Sequence, residues 1–124
     1  MADELTTGAV LRRTVSIPKF SVGEASRTAD MTGTLINDMV QTIGATQEVL
    51  VVNADIASLG WAYFDNQSAT ESVEIGIVVS ETFYPILDLG PLEQSGPMKL
   101  YATVSLYARG SSTGVNLRHF IAEL

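Results

Sequence analysis

Few side chains in this 124-residue chain are of a type that performs chemistry. The chain contains one histidine, His119, and no cysteine, which leaves no thiolate nucleophile, disulfide or thiolate-bound zinc. His119 could serve as a general base or a metal ligand. The interpretation we favour is an imidazole in the core or at an interface, with a backbone hydrogen-bond partner, because it falls on an otherwise apolar strand face.

The serines and carboxylates do not form a recognisable catalytic motif. Ser111 and Ser112 lie in a glycine-flanked turn, and the chain has no Gly-x-Ser-x-Gly elbow and no glycine-rich phosphate loop. We therefore predict no catalytic, cofactor-binding or metal-binding residues, and a protein that is not an enzyme. Turns and solvated strand faces account for the dispersed carboxylates, which include Asp38, Glu48, Asp55, Asp65, Glu71, Glu74, Glu81 and Asp88.

The elements that would position these residues are short β-strands separated by Gly, Asn, Asp, Ser and Pro. Residues 47–52 are typical of a strand buried on both faces. Residues 99–107 alternate well enough for one continuous strand, and residues 20–29 fit a strand, a turn or an irregular segment. The predicted strands are residues 9–17, 32–40, 47–52, 59–66, 72–79, 83–89, 99–107 and 115–121.

Local signals refine this assignment. Residues 72–79 and 83–89 form a predicted hairpin, with Glu81 and Thr82 in its turn. Gly76 lies inside a strand, which indicates a bulge or a close backbone approach. Asn66 begins a glycosylation sequon, which we interpret as a turn. The glycine-rich residues 110–114 predict another turn.

The fold class that follows is all-β, a single antiparallel β-sandwich of about eight strands, with a jelly roll as one form that it can take. Residues 1–124 are predicted to form a single domain. Two interpretations remain open for residues 1–20, an extended arm that adds a strand to a neighbouring sheet and an ordinary first strand.

The composition and net charge limit the classes of partner that we expect this chain to bind. With 46% hydrophobic and 17% charged residues, the apolar surplus fits either a subunit interface or a well-filled core. A net charge of −7 disfavours direct nucleic-acid binding. The sequence has no apolar run long enough for a membrane span. Its acidic start lacks the pattern of a secretory signal, so we expect synthesis in a cytoplasm.

Aromatic residues of the second half are the candidate interface residues, because they bury large areas while keeping a polar group. Core packing is the alternative for Trp61, Phe64 and Phe83, and a sugar-stacking platform would use similar residues. The candidates are Trp61, Tyr63, Phe83, Tyr84, Tyr101 and Tyr107.

Residues 41–124 resemble small structural virion proteins of tailed bacteriophages. The similar segments are Gly-Trp-Ala-Tyr-Phe-Asp-Asn at 60–66, Val-Glu-Ile-Gly at 73–76, Thr-Phe-Tyr-Pro at 82–85, Leu-Tyr-Ala at 100–102 and residues 117–124. These are packing and turn motifs, and they carry no catalytic signature.

The resemblance implies a β-sandwich present in many copies in the virion, as a capsid decoration (cement) protein or a neck, tail or fibre component. The implied partners are further copies of the chain, as a trimer or another homo-oligomer, and the major capsid protein. The alternative function is a carbohydrate- or receptor-binding module that uses aromatic surface residues.

Overall fold

The computed structural model describes the backbone of residues 3–7, 10–13, 20–23, 27–31, 36–101 and 104–123, and the side chains of residues 36–101 and 104–123. Regular secondary structure in this part of the chain is entirely β-strand. The strands are β1 (Asp3–Thr7), β2 (Val10–Arg13), β3 (Phe20–Gly23), β4 (Arg27–Met31), β5 (Ile36–Ile43), β6 (Glu48–Val49), β7 (Leu59–Asn66), β8 (Val73–Val79), β9 (Thr82–Leu89), β10 (Met98–Lys99), β11 (Tyr107–Gly110) and β12 (Val115–Glu123).

Strands β5 to β12 form two four-stranded antiparallel sheets. Sheet I has the order β10-β7-β12-β5, and sheet II has the order β6-β11-β8-β9. In this set of eight, the first strand pairs with the eighth, the second with the seventh, the third with the sixth and the fourth with the fifth. A long antiparallel ribbon folded over on itself gives this order, which is that of a jelly roll. The predicted all-β sandwich is confirmed.

Strands β1 to β4 form two further antiparallel pairs, and along the sequence the β2–β3 pair lies between β1 and β4. Strand β1 pairs with β4, from Asp3 opposite Met31, and β2 pairs with β3, from Val10 opposite Gly23. Among the described strands, none of these four pairs with sheet I or sheet II. The predicted strand at residues 9–17 corresponds to β2, and residues 9 and 14–17 of it lie outside the described residues.

The core lies between the two sheets, where alternate residues of the central strands meet. In β7 every second residue is buried, as period-two alternation requires. In β12, Val115, Leu117, His119 and Ile121 share the buried face, as predicted. The largest fully buried apolar side chains are Phe64, Ile43, Ile75, Leu117 and Ile121.

Two predicted strands are wrong in extent or environment. Residues 99–107 are not one strand, because β10 belongs to sheet I and β11 to sheet II, so the chain between them must cross the sandwich. At this crossing the Val104 N–H donates to the Tyr101 carbonyl over 3.1 Å. Residues 47–52 are not buried on both faces, because β6 is an edge strand, with Val49 and Val51 about half exposed.

The hairpin of β8 and β9 is confirmed, with its turn one residue earlier than predicted. Ser80 and Glu81 form a two-residue loop, both with positive φ, which matches a type I′ turn. Gly76 lies at a bulge, where a Cβ atom would be 2.0 Å from the Tyr84 carbonyl oxygen. The close backbone approach that Gly76 predicts is therefore present.

Candidate functional site

The outer face of sheet I carries a row of apolar and aromatic side chains, which we call the aromatic face: Ile36, Val40, Trp61, Tyr63 and Phe120. Strand alternation places them there, because the residues beside Trp61, Tyr63 and Phe120 point into the core. Phe120 on β12 pairs with Tyr63 on β7, on the side away from β5. Ile36 and Val40 on β5 are 51% and 49% exposed, and the three rings are half-buried.

An ion pair lies within the aromatic face. Arg118 donates from Nε and Nη2 to the two carboxylate oxygens of Asp38, over 2.9 and 2.8 Å. This hydrogen bonding holds the pKa of Asp38 below its ordinary value and raises the pKa of Arg118. Both side chains are about 40% exposed, so the pair adds little stability. Its main effect is to neutralise the charge of Asp38 on this surface.

The surroundings of Tyr63 on the aromatic face shift the pKa of its phenol. Partial burial, with the nearby carboxylate of Asp65, raises the pKa of its phenol. The hydroxyl therefore stays protonated at neutral pH and remains a hydrogen-bond donor. A half-buried ring with a donating hydroxyl suits a protein contact surface.

The outer face of sheet II is more polar. Arg109 donates to Glu74 from Nε and Nη2 over 3.0 and 2.6 Å, and its guanidinium lies 4.9 Å from the centre of the Phe83 ring. Asp88 on β9 lies opposite Glu74 on the adjacent strand β8. A cleft of about 310 Å³ opens here, lined by Ser72, Glu74, Asp88, Arg109, Gly110 and Ser111.

Ser111 is the serine in this cleft that is closest to a catalytic arrangement. Its hydroxyl donates to Glu71 Oε2 over 2.6 Å and accepts from the Ser72 N–H over 3.0 Å. The usual activation of a serine needs an imidazole between hydroxyl and carboxylate. The single histidine is engaged elsewhere, so these contacts fix the turn before β12 rather than activate the hydroxyl.

His119 is fully buried on the core face of β12. Its Nδ1 lies 3.4 Å from Asn37 Nδ2, and its Nε2 lies 3.3 Å from Gln41 Oε1. Burial lowers the pKa of the imidazole, against an opposing effect of Asp38. The predicted core interpretation is confirmed, but the partners are side-chain amides of β5 and not backbone groups.

The same two amides hold the edge of β6 and the segment that follows it. Gln41 accepts from the Val51 N–H over 2.9 Å and donates to the Val49 carbonyl over 3.1 Å. Asn37 accepts from the Asn53 N–H over 3.1 Å, and its Nδ2 lies 3.5 Å from the Val51 carbonyl. Each side-chain amide therefore bonds to this edge at a position where the backbone of a neighbouring strand would otherwise bond. We call Asn37, Gln41 and His119 the amide bridge.

These contacts also fix the hydrogen positions of the bridge. Because backbone N–H groups donate to Asn37 Oδ1 and Gln41 Oε1, Asn37 presents its NH₂ group to the ring and Gln41 presents its oxygen. The ring must therefore carry its hydrogen on Nε2 and accept at Nδ1. A second ring hydrogen at Nδ1 would face the Asn37 NH₂ group.

A groove of about 490 Å³ lies beside the amide bridge. It is lined mainly by residues 49–57 and 104–106, with Leu59 and Ile121. Within the described residues, no cluster of three or more His, Asp or Glu side chains could hold a metal ion. The same residues contain no helix with the length and hydrophobicity to span a bilayer.

The predicted interface residues do not form one surface. Trp61 and Tyr63 lie together on sheet I, whereas Phe83 and Tyr107 belong to strands of sheet II. Trp61 and Phe83 are only half-buried and lie outside the core cluster that contains Phe64. Tyr84 is 52% exposed on β9, and Tyr101 is 79% exposed at the crossing after β10.

Sequence reasoning missed Phe120, Ile36 and Val40 as members of the aromatic face. The signal for Phe120 was present, because it alternates with His119 and Ile121 on a strand whose inner face is apolar. Asn66, interpreted from the sequence as a turn residue, is the last residue of β7, and its Oδ1 accepts from the Ser68 N–H over 3.0 Å just after the strand. Its buried Nδ2 donates to the carbonyls of Glu71, Leu89 and Gly90, so it is not available to a glycan.

Comparison of the chain with protein-family models, with curated proteins and with solved structures gave no match.

Proposed function

We propose that this protein is a structural subunit of a tailed-bacteriophage particle, acting as a capsid decoration (cement) protein and not as an enzyme. The observation that carries the proposal is the aromatic face, a set of partly exposed apolar side chains around a neutralised ion pair. The resemblance of residues 41–124 to small virion proteins supports it. The jelly roll is compatible with it, since capsid domains commonly have this fold, although fold alone does not define function.

The aromatic face suits a contact that is repeated many times. Aromatic rings bury large apolar areas with little loss of side-chain entropy, and Tyr63 keeps a donor for its partner. Asp38 and Arg118 would bring no net charge into the contact, which limits the desolvation cost. In an assembly of many copies, a modest affinity at each site is enough to clamp neighbouring capsid subunits.

The first test is the composition of the particle. Purified particles of the phage that encodes the chain are expected to contain it, in many copies, by quantitative mass spectrometry. Separation of heads from tails then distinguishes a decoration protein from a neck, tail or fibre component. Absence from intact particles would refute the proposal.

The second test addresses the surface. Trp61→Ala is expected to lower the affinity for particles that lack the protein by about tenfold or more, as for a central aromatic contact. Tyr84→Ala removes a ring that is 52% exposed on β9 and serves as the matched control. Equal losses in both variants would show that the aromatic face is not the contact surface.

A carbohydrate- or receptor-binding module is the second candidate, and Tyr101 favours it. At 79% exposure, Tyr101 presents a nearly complete ring beside sheet I, as sugar-stacking residues do. Glycan-array binding that is lost in Tyr101→Ala would support this function. A blank array with the native chain would remove it.

A further inference from the structure

The four edge strands of the sandwich differ in how they are protected against pairing with another strand. An unprotected edge presents free N–H and C=O groups to any neighbouring strand, and stable proteins usually block such edges. Strands β5 and β10 are the edges of sheet I, and β6 and β9 are the edges of sheet II.

Three of these edges carry recognised protection. In β9, Pro85 lacks an N–H donor, and the extra residue Ile86 forms a bulge opposite β8. Strand β10 has only two residues, one of them the exposed Lys99. The edge of β6 is covered by Gln41 and Asn37, which bond to the backbone of the segment from Val49 to Asn53.

Within the part of the chain that the structure describes, strand β5 has none of these protections. It is eight residues long and regular, without proline, glycine or a bulge in its pairing with β12. Among the described residues, no strand and no side chain bonds to its outer backbone edge. Its outward side chains include the exposed Ile36 and Val40.

Charge does not protect β5 either. Its single charged residue is Asp38, and Arg118 neutralises that carboxylate through two hydrogen bonds. A charged edge residue normally opposes pairing between strands. Here the ion pair removes that opposition and leaves the edge competent to pair.

We propose that β5 pairs antiparallel with β5 of a second copy of this chain, about a two-fold axis, to form a continuous eight-stranded sheet. An antiparallel strand edge is self-complementary under such an axis. With the axis at Val40, Asp38 faces Thr42 of the second copy. With the axis at Met39, it faces Val40. Either register keeps the two Asp38 carboxylates from lying opposite each other.

This contact is one between copies in solution, so it does not depend on the proposed role in a particle. Size-exclusion chromatography with light scattering is expected to give twice the 13.3 kDa chain mass, with dissociation on dilution. Val40→Lys places a charge at the centre of the edge and is expected to raise the dimer dissociation constant by about tenfold or more. Ile86→Lys, at a position 66% exposed on β9, is the matched control and is expected to leave it unchanged.

A spin label locates the contact directly, because the chain has no native cysteine. A label on Val40→Cys is expected to show dipolar broadening, since opposed or diagonal residues across an antiparallel pair lie within about 8 Å. The broadening disappears on dilution with unlabelled chain, and a label on Ile86→Cys shows none. A single-chain mass at every concentration overturns the proposal. So does a dimer that Val40→Lys leaves intact, because its contact then lies elsewhere.

Discussion

The two sheets are held together by different kinds of contact on the two sides of the sandwich. On the side of β5 and β6, the sheets are joined by polar side chains, through the amide bridge of Asn37, Gln41 and His119. On the side of β9 and β10, the contacts depend on a glycine at a close backbone approach and on hydrogen bonds to backbone carbonyls. Gly76 permits the bulge of β9, and the buried Asn66 of sheet I bonds to the carbonyls of Leu89 and Gly90 at the end of β9.

This difference has a physical consequence. Contacts fixed by Gly, Pro and buried backbone bonds do not change with protonation, and substitution disrupts them strongly. A bridge of side chains that contains an imidazole is weaker and depends on pH. The side with the adjustable bridge also has the unprotected edge of β5. Substitutions on each side therefore test whether the β9 and β10 side is the more strongly fixed.

Gly76→Val is expected to have the largest effect. Its Cβ would lie 2.0 Å from the Tyr84 carbonyl oxygen and 2.8 Å from Pro85 Cα, both of them backbone atoms that cannot move without displacing β9. We expect a loss of about 3 kcal/mol or more in the free energy of unfolding, measured by urea denaturation. In the control Gly44→Ala, the new Cβ has its nearest atom at 3.6 Å, so stability is expected to change by about 0.5 kcal/mol or less. Similar losses in the two variants would contradict the requirement for glycine at 76.

Asn66→Ala tests the second fixed contact on that side. It removes the Nδ2 donor, which lies 2.8 to 3.1 Å from the carbonyl oxygens of Glu71, Leu89 and Gly90. Because Asn66 is fully buried, we expect a loss of about 2 kcal/mol in urea denaturation. The neighbouring Gln67→Ala, at an exposed position, is the control. A change in Asn66→Ala no larger than in the control would show that these three bonds are not needed.

Gln41→Leu breaks the amide bridge with little change in volume. It removes the partners of the Val51 N–H, the Val49 carbonyl and His119 Nε2. The groups around β6 are partly exposed and water can replace some bonds, so we expect a loss of about 1 kcal/mol. Hydrogen exchange of the Val51 amide should accelerate more than that of amides in β8. Unchanged protection at Val51 would mean that the bridge does not hold this edge.

The sequence predicted β7, β8, β9 and β12 well and β6, β10 and β11 poorly, for an identifiable reason. Alternation in β7 and β12 reports burial on one face, and this is a local property of the chain. Whether residues 47–52 form an edge or a central strand depends on which strands lie beside them, which alternation does not encode. The same limit made residues 99–107 look like one strand when they cross between sheets.

The candidate site was predictable to a similar degree. Trp61 and Tyr63 were found because aromatic residues on a strand are conspicuous, and Phe120 could have been found from the alternation of β12. Asn37 and Gln41 could not, since polar residues on a strand usually face solvent. Their partners, at Val49 to Asn53, come into reach only when the two sheets stack.

The pH dependence of stability should be the smallest of these effects, and it distinguishes the two sides by mechanism. Burial holds the pKa of folded His119 below its ordinary value of 6.5, so folding favours the neutral ring. Stability from this group is complete above pH 6.5 and falls as the pH drops through 6.5 toward the folded pKa, because the unfolded chain then binds the proton more readily. We expect the urea midpoint to decrease over this window, with faster exchange at Val51 and unchanged exchange around Asn66. His119→Gln is expected to flatten the profile in the same window. A midpoint that rises on acidification, or a variant with the native slope, would mean that the imidazole of the amide bridge does not control this side of the sandwich.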